Sequence, residues 1–179
     1  MNRNGALAAL MVGLVVLFST AALALHFDLI NPPGEKTAGE EEQILSLLDI
    51  ERVAAVEWDG GEAPAFRLEC NGSQEWICPD YPEKELDQEK AERAVAALCQ
   101  VVSARKISDW EDASVYGLDP PERQVEITLE DGTSVQYQIG SLNTYANRYY
   151  FQLEGETAIY MVGYSVGESM NCGILDYAR

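Results

Sequence analysis

The chain has 179 residues, with 30 acidic against 12 basic side chains and a formal net charge of −18. That length fits one domain, or one domain plus an anchor, and the charge gives an acidic, solvated surface. It leaves no basic footprint for displacing counterions from phosphates, so nucleic acid is excluded as a partner, and anionic lipid headgroups repel the soluble part.

The first element is GALAALMVGLVVLFSTAALAL, Gly5 to Leu25, which holds no charged side chain. At about 1.5 Å per residue a helix of this length covers the roughly 30 Å hydrocarbon core. A signal peptide is the rival reading, with Ala22-Leu23-Ala24 as its small-x-small site. Signal-peptide apolar regions are shorter than this run, which favours an uncleaved anchor. Arg3 precedes the run and acidic residues dominate after it, so the N-terminus is expected in the cytoplasm and the rest outside. The expected organisation is a single-pass transmembrane anchor (1–26), a flexible acidic spacer (27–43) and an extracytoplasmic domain (44–179). NPPGEKTAGEEE, with Pro, Gly and charge but no apolar period, carries the spacer assignment.

Within the domain, QILSLLDI suggests one or two helical turns, and RVAAVEW (52–58) a strand. AFRLECNGSQEWIC reads as a hairpin. Phe66, Leu68, Trp76 and Cys78 share even parity, which requires an odd loop. A three-residue loop, Cys70-Asn71-Gly72, would set Phe66 opposite Trp76. A helix over about 88–104 follows, N-capped by Asp87, with Leu86 stapling onto Ala91. Its apolar stripe is Ala91, Ala94, Val95, Leu98 and Val102, and Arg105 and Lys106 suit its C-terminal dipole.

SDWEDASVYGLDPP turns the chain. Gly117 is free to take positive φ, the prolines hold an extended path, and Tyr116 and Leu118 would plug the corner. Alternation then places Val125, Ile127 and Leu129 on one face with Val135, Tyr137 and Ile139. Their common parity calls for a Glu130-Asp131-Gly132 loop, pairing Ile127 with Val135 and Val125 with Tyr137. By the same rule Tyr149, Phe151 and Leu153 would face Met161, Ile159 and Thr157. The tail GYSVGESMNCGILDYAR fits either a short helix or an edge strand. The predicted class is α+β: an N-terminal transmembrane helix, then antiparallel hairpins in a meander, packed on one face with one main helix.

The ordered set of LLDIERVAAVEW, the hairpin carrying Trp76, VYGLDPP, VQYQIG, YYFQLEG and AIYMV resembles the bacterial domain of unknown function 4340 family. The likeness covers about residues 44–163, and DASV before Tyr116 departs from the pattern. The resemblance implies a membrane-anchored, extracytoplasmic protein, with some relatives beside ABC-type transporter components. It carries no established activity and no catalytic residues.

The lone histidine, His26, sits at the expected membrane boundary and is poorly placed as a catalytic base. Cys70, Cys78, Cys99 and Cys172 allow three disulfide connectivities, or none. Without a CxxC pair or a neighbouring histidine they do not suggest zinc. No cofactor motif is present. Tyrosines crowd the C-terminal third, and Tyr145, Tyr150 and Tyr160 are the candidate binding surface, the last two on the face opposite Phe151 and Ile159. The expectation is a non-enzymatic, membrane-anchored interaction module of the envelope, without cofactor or metal, and with a transporter component as candidate partner. A glycan- or peptide-binding domain is the alternative, and a two-carboxylate hydrolase stands last.

Overall fold

The computed structural model describes residues 42–61 and 63–179. The expected membrane span Gly5 to Leu25, the spacer as far as Glu41, and His26 lie outside them. Among the described residues no helix is long and apolar enough to cross a membrane.

Among the described residues nine strands form one antiparallel sheet. They are β1 (Gln43–Leu47), β2 (Val53–Asp59), β3 (Phe66–Cys70), β4 (Trp76–Ile77), β5 (Gln100–Ile107), β6 (Arg123–Leu129), β7 (Ser134–Asn143), β8 (Arg148–Leu153) and β9 (Ile159–Gly163). Their spatial order is β1-β5-β9-β8-β7-β6-β2-β3-β4. Two helices, α1 (Gln88–Cys99) and α2 (Tyr164–Met170), pack against each other. Their buried residues, including Val95, Leu98, Val166 and Met170, share one core with Trp58, Phe66, Ile127, Tyr137 and Phe151 of the sheet. The α+β class and the antiparallel architecture are as expected. The tail resolves as α2 and a 3-10 turn, Ile174–Asp176, so a second helix joins the expected one.

The sheet is strongly rolled. β1 and β7 stand four neighbours apart in the order, about 19 Å across a flat sheet. Yet the Tyr137 hydroxyl donates to Ser46 Oγ at 2.7 Å. Likewise α1, twelve residues and about 18 Å long, begins beside β4 and passes without a loop into β5. Seven strand spacings, about 33 Å when flat, separate those two strands. Only a curl that brings the two rims toward each other across the helices meets both constraints.

Three local expectations are corrected, each for a local reason. QILSL is strand β1, not helix, and a bulge between Ile44 and Ser46 interrupts its pairing with β5. The bulge turns Leu45 and Ser46 both inward and leaves Ile44 and Leu47 outward. That i, i+3 spacing imitates a helix. The α1 helix stops at Cys99 rather than 104. Val101 and Val102 are β-branched and continue as β5, so Val102, Arg105 and Lys106 belong to a strand. The first hairpin has an odd loop of five residues, not three, pairing Cys70 with Trp76. The Asn71 side chain organises it, accepting from the amides of Ser73 and Glu75, and Gln74 rather than Gly72 takes positive φ. Phe66 therefore pairs with Trp58, and the two rings stack at 4.6 Å.

Other expectations hold. Asp87 caps α1 by accepting from the Lys90 amide, and Leu86 is buried. In the second hairpin Ile127 pairs with Val135 and Val125 with Tyr137, around a loop in which Gly132 has φ 83°.

Candidate functional site

The most distinctive stretch, YGLDPP, meets the QIG segment backbone to backbone. Gly117 closes a 3-10 turn, Ala113–Tyr116, with φ 70°. A Cβ placed on it would sit 2.7 Å from the Ser141 amide nitrogen. A Cβ on Gly140 would sit 2.0 Å from the Tyr116 carbonyl oxygen. Both glycines are required because two main chains touch there, at a bulge of β7 opposite β8. The stretch is architectural. Leu118 plugs the corner as expected, and the Tyr116 ring stands edge-on to Tyr150 at 4.9 Å.

The three tyrosines singled out from sequence do not form one surface. Tyr145 is fully exposed, at 101%, in the β7–β8 turn. Tyr150 is half-buried, and its hydroxyl accepts from Asn143 at 2.8 Å. Tyr160 is 1% exposed and pairs with Phe151 rather than lying behind it. The third hairpin runs one residue out of the expected register because its loop is longer, with the Glu156 amide donating to the Leu153 carbonyl. The Tyr160 hydroxyl donates to Glu156 at 2.6 Å, and burial pushes its phenol up to about 12.

Two of the four thiols are silenced by burial. All four cysteines are free thiols. Burial holds Cys99 at about 11 and Cys172 at about 12, far from thiolate reactivity at neutral pH. Cys172 Sγ lies 3.0 Å from the Tyr177 hydroxyl. Beside it runs Arg123, which sequence reasoning did not single out. It is 1% exposed, and its guanidinium donates to the carbonyls of Gly60, Ala63, Pro64 and Cys172. The cation ties the 60–64 loop and the C-terminal tail to β6, and each of these bonds ends on a main-chain carbonyl. Its role is a clasp. Among the described residues no group of three or more His, Cys, Asp or Glu side chains is arranged to hold a metal ion.

The two rims of the sheet remain. The β4 rim is guarded. The Gln88 side chain behaves like a short further strand, accepting from the Trp76 amide at 2.8 Å and donating to the Trp76 carbonyl at 2.9 Å. The Tyr81 amide takes up the Cys78 carbonyl. Outside this rim a groove of about 630 Å³ is lined by Trp76, Ile77, Pro79, Pro82, Lys84 and Leu86, among others. The β1 rim is different. No strand pairs with its outer edge among the described residues, and its sequence, QILSL, has neither charge nor proline. Ile44 and Leu47 are 65% and 67% exposed there. Edge strands are usually protected by charge, proline, a bulge or cover; this one has a bulge but, among the described residues, no charge, proline or covering strand of its own. It is the candidate interaction site. The helix-like spacing produced by the bulge hid it from sequence reading.

Comparison with known proteins gives one match. The profile of a family described as a domain of unknown function (DUF4340) matches residues 76–178. The matched span runs from β4 through the tail, and β1 to β3 precede it. No curated protein and no solved structure matches the chain.

Proposed function

The chain belongs to the DUF4340 family, and on that premise we propose that it is a membrane-anchored interaction module of the cell envelope. The Gly5 to Leu25 run is the anchor, and the domain from β1 onward stands outside the membrane. A component of an ABC-type transporter is the first partner to test.

The observation that carries the reading is the contrast between the rims. One is closed by Gln88, while the other leaves an uncharged strand with two exposed aliphatic side chains in a chain of net charge −18. That strand is the first element after the spacer, so whatever docks on it is held within reach of the membrane. Seventeen residues, 26–42, separate the apolar run from β1, which at full extension reach about 60 Å.

The test is fractionation of cells producing the full chain, followed by crosslinking. The protein is expected to sediment with membranes, resist alkaline carbonate extraction and crosslink to an integral membrane protein. Release by carbonate would remove the anchor, and the lack of a crosslinked partner in intact cells would remove the interaction role.

A further inference from the structure

We propose that the outer edge of β1 accepts an extended segment of a partner protein as a tenth strand, and that this segment carries apolar residues flanked by lysine or arginine. The inference deepens the interaction-module reading and rests on it, but it does not need the anchor.

An added strand needs a free row of main-chain groups and a place for alternate side chains. β1 supplies both, because it is outermost in the sheet and is five residues long. On its outward face Ile44 lies beside half-buried Val102 of β5, and Leu47 beside Gln100. Apolar residues at alternate positions of an incoming strand would cover Ile44 and Leu47. Leu45 and Ser46 already point into the core, Ser46 held by Tyr137, so the strand is anchored from its inner face before anything binds.

Charge selects the occupant. Glu40, Glu41 and Glu42 precede β1, and Asp49 and Glu51 follow it. Of the cations on β5, Lys106 is engaged with β9, its Nζ 5.7 Å from the Tyr160 ring centroid. A second copy joined antiparallel along β1 would bring two strongly acidic chains together at this edge. Like charges facing across strands are destabilising, and each copy carries a net charge of −18. An extended segment with basic ends meets acid at both ends of β1 instead.

The test uses the full chain in neutral detergent and a fluorescein-labelled peptide of alternating valine and threonine with a lysine at each end, followed by anisotropy. A matched peptide ending in glutamates is the control. The lysine-ended peptide should bind, and the glutamate-ended one should bind at least tenfold more weakly. The Ile44→Lys/Leu47→Lys variant should lose at least tenfold in affinity while its circular dichroism matches the parent. Equal binding of the two peptides, undiminished binding to that variant, or no binding at millimolar peptide would overturn the proposal. So would concentration-dependent dimerisation abolished by Ile44→Lys, which would make a second copy the occupant. Peptide binding is read without membranes or native partners, so its failure is distinguishable from failure of the fractionation and crosslinking test.

Discussion

Replacing Gly140 with alanine adds one methyl group where the structure has no room for it. The new Cβ would lie 2.0 Å from the Tyr116 carbonyl oxygen and 3.0 Å from Gly117 C and Leu118 Cγ. The nearest atom is main chain, pinned by the 3-10 turn, so relief requires the corner to move by more than 1 Å against ordinary contact distances. Overpacking of this kind costs typically 1–3 kcal/mol, and a backbone obstacle places it at about 3 kcal/mol. Two other glycines separate sterics from conformation. Gly132 has open space around it but φ 83°, so alanine there should cost about 1 kcal/mol through strain alone. Gly72 has open space and no positive φ, so alanine should be neutral or slightly stabilising. Urea unfolding of the full chain in detergent, followed by tryptophan fluorescence, ranks the three. With a slope of about 2 kcal/mol/M, the Gly140→Ala midpoint should fall by about 1.5 M. A midpoint within about 0.5 M of that of Gly72→Ala, about 1 kcal/mol, would refute the claim that the two signature segments are locked by main-chain contact.

Arg123→Met should destabilise by about 3 kcal/mol or more, because four carbonyls lose their donors together, and Arg123→Lys should recover only part of it; thermal or urea unfolding reads both. Gln88→Ala should cost about 1–2 kcal/mol and speed hydrogen exchange at the Trp76 amide, measured by mass spectrometry; unchanged exchange would show that the β4 rim has another guard. Alkali should destabilise the fold. The Cys99 thiol is held up to about 11 by burial against an ordinary value of 9.0, so the unfolded chain releases its proton first. That contribution is complete below pH 9 and is lost as pH rises toward 11, at about 1.4 kcal/mol per pH unit. Cys99→Ala should flatten the slope of stability against pH in that window, and an unchanged slope would contradict the assignment.

Parity carried most of what the sequence disclosed. Period-2 alternation fixed the β6–β7 register, since turn and pattern agree there. It failed where an irregularity shifts the count, at the β1 bulge and at the β8–β9 loop, whose register is one residue out. The same parity contained an unused clue: Arg123 shares the odd, inward set with Val125 and Ile127. Its carbonyl partners come from residues 49 to 63 positions away, which no local pattern reveals. The end of α1 was hidden because Val102 continues the helical spacing of Leu98, although it stands in a strand. The open edge, finally, is a matter of strand order, and strand order is set by tertiary packing.

The place of β9 in the sheet also dictates an order of assembly. It is the last of the described strands, yet it lies between β5 and β8, and its pairings alone carry the strand ladder from β1 and β5 to the other six. Until residue 163 is available, the nascent domain consists of two sheet fragments, each with a raw edge and an uncovered apolar face. Such long-range closure is slow and exposes strands to misassociation. A chain that emerges from its N-terminus therefore keeps these two fragments apart through most of its length, and the β1–β5 pair is not seated in the sheet until the final strand is in place.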